Sequence, residues 1–80
     1  MGYMIVVMSK SVYNDDYKKL IERLKQARLD AGLSQQVVAS KLGKPQSYIS
    51  KVESGERRVD IIEVKEFAKL YKQNLEDLVA

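Results

Sequence analysis

The sequence contains neither cysteine nor histidine, and it has a single proline. Without cysteine there is no disulfide framework and no thiolate metal site, and a reducing, cytoplasmic setting suits such a chain. Without histidine the usual general base and the commonest metal ligand are missing. The polar residues include no nucleophile–base pair and no metal-ligand cluster, so we expect no catalytic residue, no metal and no cofactor.

Long hydrophobic runs are also missing. The most apolar stretch, residues 4–8 (MIVVM), is far too short for the core of a signal peptide or for a membrane span. We therefore expect no membrane association.

Positive charge is present in excess and is concentrated in one part of the chain. The 80 residues form one domain with a net charge of +3. Residues 17–58 hold ten of the 14 basic residues but four of the 11 acidic ones. A local basic patch favours a polyanionic partner, and the alternative is an ordinary solvated lysine surface.

The first 16 residues differ from the rest, and we treat residues 1–16 as an N-terminal leader. Residues 3–8 (YMIVVM) are apolar and β-branched, which predicts a short strand, followed by a polar linker over residues 9–16. A lone strand would expose its edge, so we expect it to pair with a second subunit. The alternative is a disordered tail, or a segment that reflects the choice of start codon.

From Tyr17 onwards the pattern is helical. Leu20, Ile21, Leu24 and Ala27 are spaced three or four apart and predict one buried stripe. Start and stop signals then predict four further helices, which gives a compact all-α domain over residues 17–80. These signals are Gly32, Ser34, Gly43, Pro45, Gly55, Asp60 with Glu63, and Asn74 with Asp77.

Residues 31–58 show a helix, a short break and a helix, which is the helix-turn-helix layout. This segment contains Gly32-Leu33-Ser34-Gln35, Val38-Ala39, Leu42-Gly43, Ile49-Ser50 and Glu53-x-Gly55. Together these residues resemble the XRE family of bacterial and phage DNA-binding regulators, the Cro and phage-repressor type. The resemblance implies a lambda-repressor-like domain of five helices. The sequence departs from the usual family pattern in three places. Val37 stands where the family often has glutamate, Lys44-Pro45 where it often has an apolar residue and then serine or threonine, and Lys72-Gln73 where it often has Gly-Val.

The resemblance also implies which residues meet DNA. Gln46, Ser47 and Lys51 match positions that reach base edges. Tyr48 is next to them and is expected to contact a base through a thymine methyl, with a phosphate contact or mere cover of the helix as alternatives. The alternative for all four is plain helix surface. Four further residues are implied to contact phosphate, with a solvated charge run as the alternative: Gln35, Lys44, Arg57 and Arg58. In similar proteins the positions of Arg28 and Glu53 form an internal ion pair, and we assign these two residues mainly that structural role.

We therefore expect a transcriptional regulator that binds double-stranded DNA, associates with the nucleoid and acts as a homodimeric repressor on an inverted repeat. No separate effector domain is visible, so we expect no small-ligand regulation. An antitoxin or a restriction-modification controller would use the same surface and add a partner such as a toxin. A protein-interaction module that has lost DNA binding is a third interpretation, but the polar face of Gln46, Ser47 and Lys51 is intact.

Overall fold

The computed structural model describes the backbone of residues 2–79 and the side chains of residues 15–79. Within these residues all regular structure is helical, which confirms the predicted all-α class and the five helices. The helices are α1 Gly2–Asp30, α2 Gln35–Leu42, α3 Gln46–Ser54, α4 Ile61–Tyr71 and α5 Leu75–Val79. None of the helices described is both long and apolar enough to cross a membrane.

Helix α1 begins at Gly2, well before the predicted start. The strand predicted for residues 3–8 and the linker predicted for residues 9–16 are therefore wrong. No glycine or proline interrupts the chain between Gly2 and Gly32, and the strand preference of β-branched residues is weak enough for context to override it. A role of residues 3–8 in dimerisation stays a prediction, since their side chains lie outside those described.

Predicted capping residues set the starts of α2 and α4 and the ends of α2 and α3. The Ser34 side chain accepts a hydrogen bond from the N–H of Val37 and so starts α2. Gly43 and Gly55 adopt the left-handed conformation that ends α2 and α3. Asp60 and Glu63 form the predicted reciprocal capping box at the start of α4. The helix-turn-helix geometry is thus encoded locally.

One hydrophobic core joins all five helices. Phe67 of α4 lies in it, with its ring stacked on Tyr48 of α3 at a centroid distance of 6.3 Å and on Tyr71 at 5.8 Å. The buried hydrophobic residues include Ile21, Leu24, Ala27, Val38, Ala39, Ile49, Val52, Val64, Ala68 and Leu78. On the outside, an open groove, the α2–α4 groove, has a lining that includes Leu33, Leu42, Leu70, Lys41, Lys69 and Glu66.

A buried ion pair fastens the end of α1 to the end of α3. Arg28 donates from Nε and Nη2 to the two carboxylate oxygens of Glu53, at 2.7 and 3.0 Å. Its Nη1 donates to the Leu33 carbonyl at 2.8 Å, so the turn before α2 is held as well. The two side chains are only 8% and 6% exposed. The hydrogen bond to Glu53 is the main reason why the pKa of Arg28 is raised.

Lys72 ends α4 in the left-handed conformation, with φ of 56°. This is one of the places where the chain departs from the family pattern, which often has glycine there. A side chain with a Cβ is strained in this conformation by about 1–2 kcal/mol, because the Cβ crowds the backbone carbonyl. The chain therefore carries an avoidable strain at the end of α4.

Replacing Glu53 by glutamine should lower the free energy of unfolding by on the order of 3 kcal/mol, because it leaves the buried Arg28 without a counter-charge. Urea unfolding measures this change. The matched control is Glu56→Gln, the same replacement at an exposed position, which should change stability by less than about 0.5 kcal/mol. Equal losses in the two variants would contradict the role given to the ion pair.

Replacing Lys72 by glycine should raise the free energy of unfolding by about 0.5–1 kcal/mol, because glycine adopts the left-handed conformation without strain. The control Lys65→Gly places glycine inside α4 and should lower stability by about 1 kcal/mol. Urea midpoints of the two variants should therefore move in opposite directions. A drop in both would mean that Lys72 is not strained.

Candidate nucleic-acid interface

Helix α3 has one face in the core and the other in solvent. Tyr48, Ile49 and Val52 are buried, and they are spaced as one face of a helix requires. Pro45 takes the capping position with an extended backbone, so α3 begins at the next residue, Gln46. Because its inner face is anchored, α3 presents a fixed outer face.

The outer face of α3 is polar and brings three predicted base-contacting residues together. Gln46 and Ser47 are exposed in the first turn, and Lys51 is exposed one turn further along. Ser50 is also exposed and lies four residues after Gln46, on the same face. The sequence reasoning missed Ser50, although its spacing from Gln46 would have indicated it. The face offers amide, hydroxyl and ammonium groups.

Tyr48 does not belong to that face, and its predicted base contact has to be corrected. The residue is only 8% exposed, and its ring stacks on Phe67. Its hydroxyl donates a hydrogen bond of 2.7 Å to Oε2 of Glu63 on α4. Burial, together with that bond, raises the pKa of Tyr48 to about 12. Tyr48 therefore fixes α3 to α4 as a neutral donor.

The Glu63 carboxylate accepts hydrogen bonds from three donors and stays ionised. Besides Tyr48, it accepts from Nη2 of Arg57 at 3.2 Å and from the N–H of Asp60 at 2.9 Å. Partial burial acts to raise the pKa of Glu63, but the bonds from Asp60, Tyr48 and Arg57 outweigh it and lower that pKa. The carboxylate is thus a fixed anchor for the Arg57 side chain.

Two of the predicted phosphate-contacting cations lie against one ring. The guanidinium carbon of Arg57 is 4.8 Å from the centre of the Tyr48 ring, and Nζ of Lys44 is 5.3 Å from it. Both distances are within the range of a cation–π contact. Arg57 keeps about half of its side chain exposed despite its pairing with Glu63. The two cations border the start of α3.

Arg58, the next residue along, lies over a different ring. Its guanidinium carbon is 4.7 Å from the centre of the Tyr17 ring on α1. The Tyr17 hydroxyl also bonds to the backbone of this loop, donating to the Arg57 carbonyl at 3.2 Å and accepting from the Val59 N–H at 3.1 Å. Sequence reasoning missed Tyr17, because its partners lie 40 and 42 residues away and leave no local signal.

Gln35 has a structural duty that the sequence did not reveal. Its amide donates to Oε1 of Glu53 at 3.0 Å, and its carbonyl accepts from the amide of Gln46 at 3.5 Å. The side chain therefore links the ion pair to the first residue of α3. A phosphate contact made by this side chain would compete with those bonds.

Four cations lie on the surface around α3. In the part of the chain that the structure describes, no group of three or more acidic residues is placed to hold a metal ion. The cations Lys44, Lys51, Arg57 and Arg58 are all exposed. The exposed face of α3 and the cations around it form the candidate interface.

Comparisons with known proteins agree with this geometry. A family model described as helix-turn-helix matches residues 24–78, a segment that begins after Tyr17. Among solved structures, the chain is similar to an XRE-family like protein from Pseudomonas syringae pv. tomato str. DC3000, with a TM-score of 0.82 and 38% identity. The match covers 89% of this chain and 87% of that one. No curated protein matches the chain. The chain belongs to the XRE family of helix-turn-helix proteins, which are DNA-binding transcriptional regulators rather than enzymes.

Proposed function

We propose that the chain is a repressor that binds an inverted-repeat operator as a homodimer, with α3 of each subunit in the major groove. The carrying observation is the outer face of α3, on which Gln46, Ser47, Ser50 and Lys51 are exposed while the opposite face is locked in the core. A helix fits the major groove, where each base pair shows a distinct pattern of donors and acceptors.

The side chains on that face suit the reading of base edges. Glutamine pairs with adenine through two hydrogen bonds, and lysine donates to guanine. Serine both donates and accepts, so Ser47 and Ser50 tolerate several bases. Gln46 carries the most specific contact in this proposal, because its amide group matches the donor and acceptor pattern of adenine.

Phosphate contacts on both sides of α3 would fix its register in the groove. Lys44 lies before the helix, and Arg57 and Arg58 follow it, all three with exposed side chains. The N-terminus of α2, at Gln35, would add backbone N–H groups and the positive end of the helix dipole. Each phosphate contacted should make log K fall with log salt by about 0.9.

The proposed homodimer follows from how this type of domain docks on DNA. Dimeric phage repressors bind a two-fold symmetric operator with their two recognition helices one helical turn apart, ~34 Å. A protein bound in this way across a promoter would block RNA polymerase sterically, which is why repression is the proposed outcome.

Selection of fragments from genomic DNA by the purified chain gives the operator and tests the proposal. We expect an inverted repeat bound by two chains. Gln46→Ala should lose about 1–3 kcal/mol of discrimination at one base pair of each half-site. Arg57→Ala should weaken all sequences alike and reduce the salt slope by about 0.9.

Two control variants match these changes at sites away from α3. Gln26→Ala alters an exposed residue of α1 that bonds to Asp30, and Lys69→Ala alters a cation at the α2–α4 groove. Both should bind as the parent does. The proposal fails if Gln46→Ala and the parent show the same preference across an operator library.

A further inference from the structure

The hydroxyl of Tyr17 holds the arginine loop, which we define as residues 55–60 between α3 and α4. It donates to the carbonyl of Arg57 and accepts from the N–H of Val59, at 3.2 and 3.1 Å. A phenol is suited to this bridge because its oxygen both donates and accepts. Helix α1 thereby fixes a loop that is distant in sequence.

Other hydrogen bonds hold the two ends of the arginine loop, and the Tyr17 hydroxyl holds the backbone in the middle of the loop. At the first end, the N–H of Gly55 donates to Val52 and that of Arg57 donates to Lys51, which closes α3. At the second end, the capping box begins α4 at Asp60. The backbone from Arg57 to Val59 lies between these ties, where the phenol hydroxyl bridges it.

The same backbone carries Arg57 and Arg58, the two side chains that the proposed function assigns to phosphate. The Arg57 guanidinium lies over the Tyr48 ring and donates a hydrogen bond to Glu63. The Arg58 guanidinium lies over the Tyr17 ring. Ordering a flexible loop costs conformational entropy. Because the arginine loop is already ordered in the free protein, this cost does not reduce the free energy of DNA binding.

We infer that Tyr17 is a positioning residue for DNA binding: its hydroxyl holds the backbone between Arg57 and Val59 so that Arg57 and Arg58 are pre-oriented towards phosphate. The inference rests on the proposed function, since it assigns these arginines to phosphate. Tyr17 itself touches the loop and need not touch DNA. The loss of its hydroxyl should weaken binding without removing a phosphate contact.

A double-mutant cycle tests the inference with a duplex that carries the selected operator. Tyr17→Phe keeps the ring and should weaken binding about tenfold, with the salt slope unchanged, because both arginines still reach phosphate. In a chain that also carries Arg57→Ala and Arg58→Ala, the same replacement should change affinity by less than about twofold. Tyr71→Phe, which removes a phenol hydroxyl from the core, is the matched control and should bind as the parent does.

Urea unfolding separates positioning from stability, because a purely structural role would move the unfolding midpoint and leave the affinity of the folded protein unchanged. Hydrogen exchange at the Val59 amide, without DNA, should accelerate in Tyr17→Phe. The inference is overturned if Tyr17→Phe binds as the parent does, or if it loses the same factor with and without the arginines.

Failure of the proposed function has a different signature. In that case the parent binds no duplex, or the variant that lacks both arginines binds as tightly as the parent does. The Val59 amide would still exchange faster in Tyr17→Phe, and the positioning role in DNA binding would fall with the proposed function.

Discussion

The buried ion pair of Arg28 and Glu53 holds together the elements that carry the candidate interface. It joins the last turn of α1 to the end of α3, and through the Leu33 carbonyl it also holds the turn that leads into α2. From Glu53 a chain of side-chain bonds continues through Gln35 to Gln46, the first residue of α3. A charge pair in the interior is thus connected to the residue assigned the most specific base contact. Removing one partner strands the other charge, which is costlier than losing an exposed pair.

Around this pair, the surface next to α3 is built from side chains that each restrain a neighbour. Tyr48 is buried, yet its ring supports Lys44 and Arg57 and its hydroxyl meets Glu63. In the loop after α3, the Tyr17 hydroxyl bonds to the backbone and the Tyr17 ring contacts Arg58. Tyr48, Glu63 and Tyr17 do not have to contact DNA, but they fix the positions of the exposed cations. Pre-orientation of this kind favours binding by reducing the entropy that is lost when the complex forms.

The sequence predicted those parts of the fold that local chemistry encodes. Ser34, Gly43 and Gly55 delimit α2 and α3 as predicted, because capping and left-handed glycine are properties of a few adjacent residues. The strand predicted for residues 3–8 was wrong, since a β-branched run is a weak signal inside an uninterrupted helix. In the candidate site, the resemblance to the XRE family implied that Gln46, Ser47 and Lys51 face DNA, and the structure leaves all three exposed on α3. Sequence reasoning missed the burial of Tyr48 and the bridges made by Tyr17 and Gln35, because these depend on partners that are distant in the chain.

We propose that the outer face of α3 and the arginine loop together form the DNA-binding surface. The most direct measurement is a map of amide NMR shifts of the full chain, titrated with the selected operator duplex. We expect the largest changes at Gln46, Ser47, Ser50 and Lys51 and in residues 55–60, with the lining of the α2–α4 groove unchanged. Changes concentrated at that groove, with α3 and the arginine loop unaffected, would show that DNA binds elsewhere on the molecule.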